Sequence, residues 1–170
     1  MDLGEELSAS LKELYHKEGV TSFMFLLASF KVLLARYSGQ EDICVGTPIA
    51  NRTQYELEGM IGFFVNTLAL RSDLSGNPTF KQALETVKKT TLEAYNHQLA
   101  PFEKVVKKVA SNRDLNSTPL FQVMFVLQNT PKENNQLALS DTAASRYKLK
   151  VLPAKFDLSL DIHEKDEDIT

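Results

Sequence analysis

The 170-residue chain predicts an α/β fold, a layer structure in which helices cover a mixed sheet. Three observations predict it. Apolar residues recur at helical spacing in four segments, and short runs rich in Ile, Val and Leu lie between them. Near the end, Phe156, Leu158, Leu160 and Ile162 alternate with Asp157, Ser159, Asp161 and His163, the pattern of a half-exposed strand. The order is helix, helix, strand, strand, helix, helix, strand, strand. No internal repeat interrupts it, and the length suits one domain or one lobe of a larger one.

Leu7, Leu11, Leu14 and Tyr15 predict an amphipathic surface helix over 4–18, stopped by Gly19. Thr21 sits at an N-cap position ahead of 22–37. That helix is apolar on most of its circumference through Phe23, Phe25, Leu26, Leu27, Phe30, Leu33 and Leu34, which predicts burial on nearly all sides, and Ser38-Gly39 ends it. Residues 42–48, bounded by Gly46 and Pro48, read as a strand, and 51–58 as a polar loop. A second strand is expected over 64–72.

Thr79 and Gln82 have capping-box spacing, opening a helix to about residue 97 whose buried face runs through Phe80, Ala83, Leu84, Val87, Ala94 and Tyr95. His97-Gln98-Leu99-Ala100 breaks it. Pro101 suits the first turn of the next helix, where its missing amide hydrogen costs nothing. Phe102, Val105, Val106 and Val109 give that helix its stripe. A strand is expected over 120–128, then a polar stretch over 129–146 long enough to be a functional loop, then the alternating strand, which reads as a sheet edge needing a partner.

Composition excludes several function classes. A net charge of −3 leaves no basic excess to neutralise phosphates, which argues against nucleic acid as a partner. The lysines of 81–108 alternate with apolar residues, as solvated helix faces do. The single cysteine, Cys44, permits no internal disulfide and reads as a small core residue. The N-terminus is acidic where a secretory signal is basic then apolar. The most apolar run, 23–35, is too short for a membrane span and carries Lys31. The expectation is a cytoplasmic protein with no membrane contact.

Catalytic and ligand motifs are equally sparse. No nucleophile elbow, phosphate loop or dinucleotide fingerprint occurs. His16 reads as solvent-exposed. His163, with Asp157 and Asp161, reads as an exposed acidic strand face rather than a metal site, so no metal is expected. His97 lies at a helix break and reads as a C-terminal cap. Arg113 and Asp114 read as a turn with a local ion pair. The most unusual stretch is Gly59–Arg71, where Asn66 interrupts an apolar strand. A buried amide costs free energy unless partners hold it, so Asn66 needs a structural or functional reason.

Four segments, taken in order, resemble the C-terminal half of a condensation domain of a nonribosomal peptide synthetase. They are Val45-Gly46-Thr47-Pro48-Ile49-Ala50-Asn51-Arg52; Met60-Ile61-Gly62-Phe63-Phe64-Val65-Asn66-Thr67 through Arg71, similar to Ile-Gly-x-Phe-Val-Asn-Thr; His97-Gln98-Leu99-Ala100-Pro101-Phe102-Glu103, similar to His-Gln-Asp-x-Pro-Phe-Glu; and Arg113-Asp114-Leu115-Asn116-Ser117-Thr118-Pro119-Leu120-Phe121-Gln122, similar to Arg-Asp-x-Ser-Arg-Asn-Pro-Leu. Leu99 departs from the usual Asp, and Asn116-Ser117-Thr118 from Ser-Arg-Asn. The His-His-x-x-x-Asp-Gly motif that carries the family's catalytic histidine does not occur in these residues.

The resemblance implies a two-layer, mixed-sheet lobe, half of a fold like that of chloramphenicol acetyltransferase, spanning 1–170 and lacking the N-terminal lobe. It implies peptide-bond formation between a donor acyl thioester and an acceptor aminoacyl thioester, each on a carrier protein, with this chain inactive alone. Catalytic residues are expected in the absent lobe. Asn66 and Gln122 become candidate tunnel-facing polar groups, able to bond a phosphopantetheine arm or the new amide. Arg52 becomes a candidate ion-pair partner for the aspartate of the absent motif. His97, Pro101 and Phe102 are expected to shape the lobe near the tunnel, with 129–146 crossing beneath it. No cofactor is expected beyond the carriers' phosphopantetheine. The implied partners are the N-terminal lobe, donor and acceptor carrier proteins and an adjoining adenylation domain. Competing readings are an epimerisation-type lobe, a non-catalytic carrier-docking module, and a self-contained acyltransferase using His97 as base.

Overall fold

The computed structural model describes residues 3–110, 118–128, 154–165 and 168–170. The expected turn at Arg113 and Asp114, the Asn116-Ser117 departure and the 129–146 loop lie outside the described residues.

Helices α1 (Glu5–Lys17) and α2 (Ser22–Ser38) lead into strand β1 (Asp42–Ile49), a short helix α3 (Tyr55–Glu58) and strand β2 (Asn66–Asp73). Helices α4 (Phe80–Asn96) and α5 (Phe102–Val109) follow, then β3 (Val123–Gln128), β4 (Leu158–Lys165) and the two-residue β5 (Asp168–Ile169). The sheet order is β2-β1-β3-β4-β5. β1 is antiparallel to β2 and parallel to β3, and β3 is parallel to β4, so the sheet is mixed as expected. The expected element order holds, with α3 and β5 added.

The helix boundaries follow the local chemistry. Thr21 Oγ1 accepts from the Met24 amide at 3.3 Å, and Gly39 closes α2 in the left-handed conformation at φ 70°. Thr79 and Gln82 form the reciprocal capping box, each side chain taking the other residue's backbone amide. Pro101 lies one residue ahead of the expected position, at the N-cap of α5, where it supplies no side-chain acceptor.

One face of the sheet packs on α2 and α4. Ile43 and Val45 of β1, Leu68 and Leu70 of β2 and Phe125 of β3 meet Phe25, Leu27, Ala28 and Phe30 of α2 and Leu84 and Val87 of α4. Helix α2 is less enclosed than its sequence predicts. Leu33 is half exposed, Phe23, Leu26 and Leu34 are partly buried, and the fully buried positions include Lys31. Phe80 and Val109, expected on buried stripes, are exposed because each lies at a helix end beyond the sheet's cover.

The opposite face takes Gly46. A Cβ there would lie 2.2 Å from the Phe121 ring, so the ring needs a glycine beneath it. Gly46 is thus interior to β1 instead of bounding it. Phe121 continues into a row of rings, 5.6 Å from Phe102 and 5.7 Å from Phe156. β3 starts later than expected, because Leu120 turns at φ 71° before the strand.

The far end of β4 is not the open edge its sequence predicts. β5 pairs antiparallel with Glu164 and Lys165, and α1 closes on β5: Ser8 Oγ accepts from the Ile169 amide at 3.2 Å, and the Leu3 amide donates to the Ile169 carbonyl at 3.2 Å. Ser22 Oγ also donates to Glu164 Oε2 at 2.9 Å.

Lys31 is fully buried, donating from Nζ to the Leu70 carbonyl and to Ser72 Oγ, both at 2.7 Å. Desolvation pulls its ammonium down from 10.5 to about 8, against weaker pulls upward from Cys44 and Asp42. Below pH 8 it is charged in both the folded and unfolded chains. Between pH 8 and 10.5 the unfolded lysine holds a proton that the folded one releases, so this group makes stability rise with pH across that window. The full effect is roughly 3 kcal/mol. Burial raises the Cys44 thiol and the Tyr95 phenol, which pull the opposite way as pH rises through their range. The prediction is therefore a difference. Urea denaturation of wild type and Lys31→Met should show wild type gaining on the variant from pH 7.5 to 10.5, and a flat difference would contradict the buried charge.

Candidate functional site

Asn66 stands at the first residue of β2, not within its apolar run, and its environment answers why it is an asparagine. Nδ2 donates to the Gln98 carbonyl and to the Ala100 carbonyl, each at 2.8 Å, and Oδ1 accepts from the Phe102 amide at 3.2 Å. Two carbonyls facing Nδ2 and one amide facing Oδ1 fix which way the side chain points. Phe102 is the first residue of α5, so a strand residue 36 positions back supplies the acceptor that Pro101 lacks.

The same corner gathers three other expected site residues. His97 is the C-cap of α4, as expected, its amide donating to the Ala94 carbonyl at 3.1 Å and its carbonyl accepting from Ala100 at 3.0 Å. Its imidazole is exposed. Pro101 is exposed too, and Phe102 turns its ring onto Phe121. Asn66, His97, Pro101 and Phe102 thus form one unit linking β2, α4 and α5.

Gln122 and Arg52 stand apart from it. β1 and β3 pair around Gly46 and Met124, and beside the first half of β1 a cleft of about 560 Å³ opens between Leu34, Cys44, Val105, Gln122 and Val123. Gln122 is exposed and spends one amide hydrogen on the Thr118 carbonyl at 3.0 Å, and among the described residues Oε1 and the second hydrogen have no partner. Cys44 is half-buried on this cleft, not a core residue. Arg71, at the rim, holds Asp42 in a two-nitrogen grip at 2.5–3.0 Å and keeps that carboxyl below its ordinary range.

Arg52 organises a second unit. Its guanidinium donates to the Leu57 and Glu58 carbonyls at the end of α3 and lies 4.4 Å from the centre of the Phe64 ring. Gly62 fits against the same ring, where a Cβ would come within 2.8 Å. Among the described residues no carboxylate pairs with Arg52. Asn51 beside it adopts φ 54°, and among the described residues its buried Oδ1 has no hydrogen-bond partner.

Sequence reasoning missed α3, Asn51 and Phe121. Gly46 inside an Ile/Val run was the available signal for Phe121, since a strand glycine marks close approach of another group. Asn51 lies in the first of the four matched segments, but nothing local marked its left-handed backbone or its buried Oδ1.

Asn66→Asp tests the clamp, because a carboxylate would face two carbonyls and lose both donated bonds. It should destabilise the chain by about 1–3 kcal/mol in urea denaturation at pH 7. Hydrogen exchange at the Phe102 amide should accelerate with it, and unchanged stability and exchange would remove the clamp.

Known proteins supply the wider setting. The family model described as "Condensation domain" matches residues 1–170. One of the linear gramicidin synthase polypeptides of Brevibacillus parabrevis is 51% identical over 163 residues, covering 96% of this chain and 3% of that protein. Surfactin synthase subunit 2 of Bacillus subtilis is 46% identical over 98% of this chain and 5% of its own length. Among solved structures, the X-domain from teicoplanin biosynthesis superposes with a TM-score of 0.88 at 27% identity, over 99% of this chain and 39% of that one. The condensation domain from the monacolin K polyketide synthase MokA gives 0.67 at 28% identity, over 75% and 30%. The chain thus spans a few per cent of the synthetases it matches and about two-fifths of the matching X-domain. With its mixed sheet, its helix layer and a family match over its whole length, this chain belongs to the condensation-domain family.

Proposed function

We propose that residues 1–170 form the C-terminal lobe of a condensation domain that makes a peptide bond in nonribosomal peptide synthesis. The observation that carries the reading is the 51% identity to a linear gramicidin synthase across 96% of the chain. The four ordered motifs support it. In the reaction, the acceptor's amine nitrogen attacks the donor's thioester carbonyl. The C–N bond forms, the C–S bond breaks, and the donor arm leaves as a thiol with the proton the amine gives up.

In this reading the lobe contributes placement. Aligning two tethered reactants removes much of the entropic cost of a bimolecular step. Asn66 fixes the α4–α5 corner on which His97, Pro101 and Phe102 sit, and so acts on the tunnel through that corner. Its amide hydrogens are spent within the chain, so its direct offer to a ligand is a lone pair on Oδ1. Gln122 is the better candidate to meet a phosphopantetheine arm, whose amides need both donors and acceptors, because it lines the cleft and both are unengaged among the described residues. Donor and acceptor carrier proteins are the partners, with an adenylation domain adjoining and the cytoplasm as the setting. No described helix is by itself long and apolar enough to cross a membrane.

A second reading, a docking module without chemistry, draws on the likeness to a teicoplanin X-domain, which has also been solved in complex with OxyB. The higher identity to the synthases favours the first.

The test is reconstitution with loaded carrier proteins. The full synthetase polypeptide should form the dipeptidyl thioester, and this chain alone should form none. Condensation by the chain alone would overturn the assignment of chemistry to the other lobe. Gln122→Ala in the full polypeptide should lower the single-turnover rate about tenfold, the loss of roughly one hydrogen bond in the transition state, with an unchanged melting temperature.

A further inference from the structure

Gln122 stands just ahead of β3, at the end of a turn over 118–122 that is held from several sides. Thr118 Oγ1 donates to the Phe121 carbonyl at 2.5 Å, and Gln122 Nε2 donates to the Thr118 carbonyl at 3.0 Å. The Asp157 amide, one residue ahead of β4, donates to the Gln122 carbonyl at 3.0 Å. Between these contacts Leu120 adopts φ 71°, a left-handed conformation that a leucine keeps only where its surroundings impose it.

The neighbour that imposes it is the Phe121 ring. Phe121 is 3% exposed and occupies the place of the side chain that Gly46 lacks. A Cβ on Gly46 would come within 2.2–2.6 Å of three atoms along one edge of that ring. Phe102 and Phe156 flank the ring at 5.6 Å and 5.7 Å. Gly46 is also the β1 residue that pairs with Met124 of β3, so the seat and the strand following Gln122 share one register. With the ring seated, the Gln122 carbonyl bonded to Asp157 and its amide bonded to Thr118, the glutamine has few torsions left to explore. Its side chain lines the cleft.

We propose that Phe121, seated on Gly46, is a positioning residue of the condensation reaction, aiming the Gln122 amide at the phosphopantetheine arm without touching that arm itself. This role rests on the reading above in which Gln122 meets the arm. A hydrogen bond formed in the transition state contributes most when its protein partner needs no rearrangement beforehand, so the rate depends on what holds Gln122 as well as on Gln122. Packing alone does not demand this pairing. A glycine inside a strand costs backbone entropy and forgoes a side-chain contact, and a larger residue at 46 with a smaller one at 121 would fill the same space. The residues present instead set a rigid ring directly before the glutamine.

The test is a double-mutant cycle on single-turnover condensation by the full synthetase polypeptide with loaded carrier proteins. Gly46→Ala displaces the ring and should slow the step about tenfold, as Gln122→Ala does. Combined, the two should cost no more than Gln122→Ala alone, because no amide remains to be misplaced. Adding Phe121→Leu to Gly46→Ala makes room for the new methyl and should return part of the lost rate. Should Gly46→Ala fail to fold, Phe121→Leu beside the native glycine takes its place in the cycle, since it loosens the seat without adding volume. Losses that multiply to about a hundredfold in the double variant would make Phe121 a core residue only and overturn the proposal. Gly46→Ala at the wild-type rate, or no recovery with Phe121→Leu, would overturn it too, and all three results leave the role of Gln122 standing. Gln122→Ala at the wild-type rate would instead remove the role of Gln122, and the aiming with it. A wild-type polypeptide that forms no dipeptidyl thioester would remove the reaction itself, and this role falls with it.

Discussion

The backbone accounting at the start of α5 is the constraint on which the other features near the candidate site depend. A helix leaves its first amides without internal partners, and a proline at the N-cap has no side-chain oxygen to receive one. Asn66 resolves this from across the fold, and an amide is the side chain that can accept from Phe102 while donating to the carbonyls of Gln98 and Ala100. Aspartate lacks the donors, leucine lacks both. The clamp also decides where β2 begins, since the residue gripping the corner is the first of the strand. From there Phe102 is set against Phe121, and Phe121 against Gly46, so one side-chain amide propagates to the open face of the sheet.

The two faces of the sheet are held by different means. Toward α2 and α4, burial of Val45, Leu70 and Phe125 provides most of the driving force, roughly 25 cal/mol for each Å² of apolar surface. Lys31 works against that packing. Its two 2.7 Å bonds to β2 satisfy donors that would otherwise be unmet, at the cost of desolvating a charge. On the other face, a ring row and a cleft replace a continuous layer of helices. A surface assembled from spaced rings leaves room for a ligand in a way that a packed helix layer does not.

Periodicity made the core legible. The stripes of α4 and the alternation of β4 depend on which side of an element faces the sheet, and Ala83, Leu84, Val87, Leu160 and Ile162 lie where their spacing predicts. The caps were legible too, because Thr79 and Gln82 act within one turn. What the sequence concealed is long-range. Asn66 reads as an anomaly in a strand, and nothing local says that its partners are 32 to 36 residues away. Lys31 is one polar residue on an apolar helix, and a charge on such a helix ordinarily lies at the rim. The edge of β4 was misread for the same reason, since the residues that cover it come from opposite ends of the chain.

The clamp at Asn66 directly follows a segment of exposed apolar side chains, Met60 to Val65, and their juxtaposition has a mechanical consequence. Asn66 is fixed by three hydrogen bonds to the α4–α5 corner, while the residues immediately before it present an unpacked apolar surface. Any body that seats on Ile61 and Phe63 is therefore registered, through a short and tethered piece of chain, to the corner carrying His97, Pro101 and Phe102. Few soft dihedrals separate the two, so little positional freedom remains between a docked surface and that corner. The asparagine at the head of β2 thus serves as a fixed reference point between that segment and the α4–α5 corner.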